Sequence, residues 1–90
     1  MDLKIIIGEF VGTFILIFAI LQSSGNPLII AAGFLAAITI AGTLSGGHIN
    51  PVVSIVSVLN GSISSGVIGT YFISQLAGGL AAYYLVQSLK

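Results

Sequence analysis

The 90 residues contain no cysteine and no arginine, and only Asp2, Lys4, Glu9 and Lys90 carry a formal charge. Without cysteine there is no disulfide framework, no thiolate nucleophile and no thiolate metal site. One histidine and two acids near the N-terminus offer no constellation for catalysis. Neither an enzyme activity nor a metal nor a cofactor is therefore expected. A net charge of zero without any basic cluster argues against nucleic acid. It also argues against a polybasic lipid-binding segment. Soluble domains devote about a quarter of their residues to charge. At 4% charged and 57% hydrophobic, this chain has the bilayer as its expected solvent. Its length accommodates one small domain, 1–90.

Three apolar runs are long enough to matter. Ile5 to Leu21 and Leu28 to Leu44 have 17 residues each, and Val67 to Val86 has 20. A bilayer core of about 30 Å takes roughly 17–25 helical residues, so spans are expected at about 5–22, 27–44 and 66–88. The first run also resembles the apolar core of a signal peptide, but it lacks a small-x-small cleavage site and carries Glu9. A fourth piece, Pro51 to Leu59, reaches only about 14 Å at 1.5 Å per residue. Irregular backbone is tolerated at membrane depth only inside protein or along a wet cavity. Residues 45–59 therefore read as a re-entrant loop and half-helix, entering extended and turning helical at mid-membrane.

Both prolines follow asparagine, at Asn26-Pro27 and Asn50-Pro51. Asparagine caps a helix and proline suits its first position, so each pair marks a helix start. If the second start lies at the midplane, unpaired N–H groups and about half a positive charge sit there in a poorly screened place. Asn50 can then offer an N–H to a passing solute oxygen. Gly46 and Gly47 permit an extended segment whose carbonyls, from Gly46, Gly47, His48 and Ile49, form a line of acceptors. His48 reads as a structural hydrogen-bonder or as a ligand, and no second histidine is present for a metal. Glu9 lies about a turn inside the first span. It either snorkels to the interface or turns inward to accept hydrogen bonds from the loop, with His48 a candidate partner. Gly8 and Gly12, Gly42 and Gly46, and Gly78 and Ala82 repeat at four-residue spacing, which favours close helix contacts. The Asn60-Gly61-Ser62 sequon carries little weight without a known compartment.

Three stretches in order, "GEFVGTFILIF" (Gly8 to Phe18), "AGTLSGGHINPVVS" (Ala41 to Ser54) and "YFISQLAGG" (Tyr71 to Gly79), resemble the N-terminal half of the aquaporins, the major intrinsic proteins. The resemblance runs from Gly8 to about Tyr84. It implies an all-α membrane fold, an aquaporin-like half of three transmembrane helices plus one re-entrant half-helix. It also implies a passive channel for water or small uncharged solutes such as glycerol. In such channels two inverted halves bring their Asn-Pro half-helices head to head. Asn50, Pro51 and Val52 then look like the pore motif, and Glu9 and His48 like the residues that brace the loop. Val52 stands where the family has alanine. The matched region has no counterpart of the second half, nor of the arginine that half carries near its asparagine.

One half-helix does not close a pore. Orientation follows the Lys/Arg bias of short flanking segments. Lys4 and Lys90 flank opposite faces while the turns between spans carry neither residue type. That balance suits insertion both ways, and so an antiparallel homodimer with a twofold axis in the membrane plane. Family habit extends this to four pores, or eight chains, in the cell membrane. Carried over from the family, each mouth draws on Ile30 of one chain and on Ile38, Gly47 and Val53 of the other. Such a constriction is aliphatic and lacks a fixed cation. The alternatives are a small three-span structural or holin-like protein, and one half of a split channel completed by a different chain.

Overall fold

The computed structural model describes residues 2–90. It contains four α-helices: α1 (Leu3–Gln22), α2 (Pro27–Gly42), α3 (Pro51–Leu59) and α4 (Ile68–Ser88). A single 3₁₀ turn, Ser65–Val67, leads into α4. No strand occurs among the described residues.

Three of the four helix starts are written into the chain as caps. Asp2 Oδ1 accepts from Lys4 N at 2.8 Å, which begins α1 two residues before its apolar run. Asn26 Oδ1 accepts from Leu28 N at 2.9 Å, and Asn50 Oδ1 from Val52 N at 2.8 Å. Pro27 and Pro51 occupy the first helical positions, where a missing N–H costs nothing. At its other end α2 stops at Gly42, earlier than the apolar run to Leu44. There the N–H groups of Leu44 and Ser45 both fold back onto the Ala41 carbonyl.

Helix α1 lies between α2 and α4, and α3 packs on α4. The α1–α4 contact is close because Gly78 has no side chain: a Cβ there would run into the Phe10 backbone carbonyl. Similarly, a Cβ on Gly12 would meet Ile49 and Ala41 at 2.7 and 2.9 Å. The apolar core is small, Ala37, Ala41 and Ile49 with Ile15 and Leu16 packed against it.

The distribution of polarity is reversed relative to a soluble bundle. Glu9 and Ser54 are fully buried, whereas Leu28 and Leu59 are 79% and 80% exposed. Exposed Ile, Leu, Val and Phe cover all four helices. Such a surface is suited to hydrocarbon or to another apolar protein face. The long dimension, 40 Å, approaches the thickness of a bilayer with its headgroups. By length and composition α1 can cross a membrane, with a mean hydropathy of 2.2. Helix α2, at 16 residues, is shorter than that measure requires. Helix α4 has 21 residues and carries Ser74 and Gln75 in its middle.

Candidate functional site

Between α2 and α3 the chain runs through Ser45 to Asn50 without regular structure. Three residues there take positive φ: Gly46 at 90°, Gly47 at 70° and Ile49 at 46°. Glycine tolerates this readily, but a β-branched residue does so at a cost of about 1–3 kcal/mol. Ile49 is held in place by its surroundings. Its side chain is wedged against Ala37, Ala41 and Gly12, and its N–H donates to Glu9 Oε1 at 2.7 Å.

Glu9 organises the whole loop from α1. Its Oε2 accepts from Ser45 Oγ at 2.5 Å and from the His48 backbone N–H at 3.1 Å. Its Oε1 accepts from Ile49 N and, at 2.9 Å, from Gln75 Nε2 on α4. Four donors thus fill the four lone-pair positions of one carboxylate. They come from the loop and from α4, so a single buried side chain ties three parts of the fold together. Glu9 faces inward and is fully buried, and it contacts His48 through the backbone and not through the ring.

The His48 ring belongs to a second chain of bonds. Ser57 Oγ lies 2.8 Å from the Val53 carbonyl and 3.5 Å from the ring Nε2, and the tautomer with its proton on Nε2 suits both contacts. In that tautomer Nδ1 accepts from the Ser54 hydroxyl at 2.9 Å. Ser54 Oγ in turn accepts from Gln75 Nε2 at 3.0 Å. Tyr71 stacks on the imidazole, ring centroids 4.2 Å apart, and donates its hydroxyl to the Ser45 carbonyl at 2.6 Å. Ser54 and Ser57 lie three residues apart, and Tyr71 and Gln75 four apart, so each pair presents one helix face to the histidine. Ser45, Ser54 and Tyr71 were not singled out from the sequence. The serine spacing along α3 was the available signal.

What the brace leaves unpaired is as informative as what it pairs. Among the described residues, no hydrogen bond reaches the carbonyls of Gly46, Gly47, His48 or Ile49. Tyr71 takes the Ser45 carbonyl, one residue before that set. Asn50 is exposed, and its side-chain oxygen caps α3 while its Nδ2 has no partner among the described residues. Pro51 and Val52 are exposed beside it, Val52 at 63%. A neutral donor at a helix N-terminus thus follows four free acceptors.

The residues expected at the constriction fall in two places. Gly47 lies against the end of α2, where a Cβ would be 3.3 Å from the Ile38 carbonyl. Ile38 and Val53 are both exposed. Ile30 is half-buried on the first turn of α2, eight residues and so about 12 Å along the helix from Ile38. One chain therefore brings Ile38 and Gly47 together and leaves Ile30 at the other end. No group of three or more potential metal ligands occurs among the described residues.

Residues 1–90 match the major intrinsic proteins as a family. The chain belongs to that family. This major intrinsic protein is 34% identical over 90 residues to the glycerol uptake facilitator protein-like 6 of Lactiplantibacillus plantarum, covering 91% of its own length and 42% of the relative's. It is 33% identical over 106 aligned positions to the probable aquaporin TIP2-2 of Oryza sativa, covering 96% and 42%. Over a shorter stretch of 56 residues it is 39% identical to the aquaglyceroporin AqpS of Rhizobium meliloti, covering 62% and 24%. The chain spans less than half the length of these relatives. No solved structure matches it significantly.

Proposed function

We propose that the chain is one half of a multi-pass membrane channel for water and small uncharged solutes such as glycerol. The observation that carries this reading is the run of unpaired Gly46 to Ile49 carbonyls ending at the free Asn50 amide. Acceptors in a line let a solute shed water gradually, and a donor at the helix start then orients its oxygen. The positive end of α3 repels cations at the same point. Family membership supports the reading, and so do the names of the relatives, which include a glycerol uptake facilitator-like protein and a probable aquaporin.

A second half-helix is needed to close the pore, and an inverted copy of the same chain supplies it. The one-to-one balance of Lys4 and Lys90 supports insertion both ways. Each mouth then combines Ile30 of one copy with Ile38, Gly47 and Val53 of the other. Being aliphatic, it discriminates among polar solutes less sharply than a mouth with a fixed arginine, and the two half-helix dipoles carry most of the charge exclusion.

The test is stopped-flow swelling of liposomes that contain only this polypeptide, with water and with glycerol. Wild type is expected to conduct at least one of them. Asn50→Asp places a carboxylate at the midplane, where an ion is costly and traps a counter-cation. Flux is expected to fall on the order of tenfold, and the remainder becomes cation-dependent. A wild-type protein that conducts neither solute ends the self-completed channel. Conduction appearing only when a separate second-half chain is added assigns the protein to a split channel.

A further inference from the structure

Each helix carries its own limit on the thickness of hydrocarbon it can cross. Helix α2 has 16 residues, about 24 Å at 1.5 Å per residue. Past Gly42 the chain leaves the helix in an exposed turn at Thr43, and lipid-exposed irregular backbone is excluded from hydrocarbon. A core around α2 is therefore no thicker than the helix is long. In α1 the exposed Lys4 and Gln22 bracket Ile5 to Leu21, 17 residues and about 26 Å. Tilt shortens the spanned distance, so both values are upper limits.

Helix α4 is longer, 21 residues, but Tyr83 and Tyr84 stand before its end. Both are exposed, and their rings meet edge to face with centroids 5.1 Å apart. Tyr71 places its hydroxyl on the Ser45 carbonyl, whereas those of Tyr83 and Tyr84 have no partner among the described residues. Such rings settle at the membrane–water boundary, where the body is apolar and the tip is wet. From Ile68 to Tyr83 is about 23 Å along the helix. Helix α3 supplies a fourth measure. Running from the midplane to the exposed Asn60, its 9 residues make about 13 Å, half of a core of about 26 Å.

An average bilayer core is about 30 Å thick. Four lengths, each set by different residues, agree on less. We infer that the lipid-facing surface fits a hydrocarbon core of about 25 Å, that of a bilayer with short acyl chains, and that the Tyr83–Tyr84 pair marks one edge of it. The inference rests on the multi-pass channel reading given above and adds the lipid that suits the protein. In a thicker bilayer the end of α2 and the two free hydroxyls are drawn into hydrocarbon, or the lipid thins around them, at a cost that grows with each ångström of mismatch.

The experiment places the full chain in phosphatidylcholine vesicles whose monounsaturated chains run from about 14 to about 22 carbons. Reversible unfolding and the flux of water and glycerol are measured in each. The folding equilibrium constant is expected to peak at about 14–16 carbons and to fall roughly tenfold over the next 5 Å or so of thickness. A peak at about 18 carbons or beyond overturns the inference. Tyr83→Phe combined with Tyr84→Phe keeps the rings and removes the hydroxyls, and is expected to make the fall shallower. An unchanged fall overturns the placement of the tyrosines at the boundary. Stability that peaks in short chains without flux at any length removes the channel and keeps the lipid match. Flux with stability indifferent to chain length keeps the channel and removes the match.

Discussion

Glu9→Gln is a nearly isosteric change whose cost can be worked out bond by bond. A carboxylate accepts from all four donors, but an amide must turn an NH₂ toward one of the two pairs. If the NH₂ replaces Oε2, Ser45 can redirect its hydroxyl to the Ala41 carbonyl, already 3.1 Å away, and accept from the new amide. The His48 N–H then has no acceptor. If the NH₂ replaces Oε1, Gln75 can flip only by giving up Ser54, and the Ile49 N–H is stranded. Either way one buried backbone N–H is orphaned, at about 1–3 kcal/mol. The three surviving bonds lose their charge assistance, at about 1 kcal/mol each. Burying a neutral amide is easier than burying a charge, which offsets part of this, leaving a net loss on the order of 2–4 kcal/mol. At 1.4 kcal/mol per decade the open population of the loop rises roughly 30- to 1000-fold. Amide hydrogen exchange at His48 and Ile49, measured in lipid nanodiscs, reads this population directly. Exchange rates within about threefold of wild type at both amides would refute the view that the carboxylate holds the loop.

Two further expectations separate packing from pairing. Gly78→Ala drives a methyl into the Phe10 carbonyl, and backbone cannot swing aside, so unfolding in mixed micelles should show a loss of about 1–3 kcal/mol. Gly69→Ala on the same helix meets nothing within 4 Å and should be neutral or slightly stabilising. In the proposed topology Ser64→Lys adds a cation on the same face as Lys4 and should commit most copies to one orientation, measured by side-specific labelling. If pairing is inverted, flux falls with the minority orientation; unchanged flux from a fully oriented protein would rule out the inverted homodimer.

The parts of this molecule that were legible in the sequence are those carried by local chemistry. Asn26-Pro27 and Asn50-Pro51 announce helix starts because capping needs only neighbouring residues. Gly46-Gly47 announces unusual backbone, read from the sequence as an extended segment, whereas both residues take the left-handed φ that glycine allows. Glu9 was legible as an anomaly, since a carboxylate in an apolar run is conspicuous. Its full set of donors was not, because they lie 36, 39, 40 and 66 residues downstream. The ring of His48 was harder still. Its partners Ser54, Ser57 and Tyr71 are common residue types, meaningful only once α3 and α4 are docked. The boundaries of α1 and α2 differ from the apolar runs by about two residues for the same reason: caps and folded-back N–H groups, not hydropathy, end helices.

The separation between Glu9 and its donors also bears on how the chain is made. Helix α1, with its carboxylate, is complete long before Gln75 has been synthesised. The loop cannot settle until α4 arrives to complete the set around that carboxylate. Biogenesis therefore has a late closing step. A nascent chain halted ahead of Gln75 lacks one of the four donors that surround Glu9 in the finished fold.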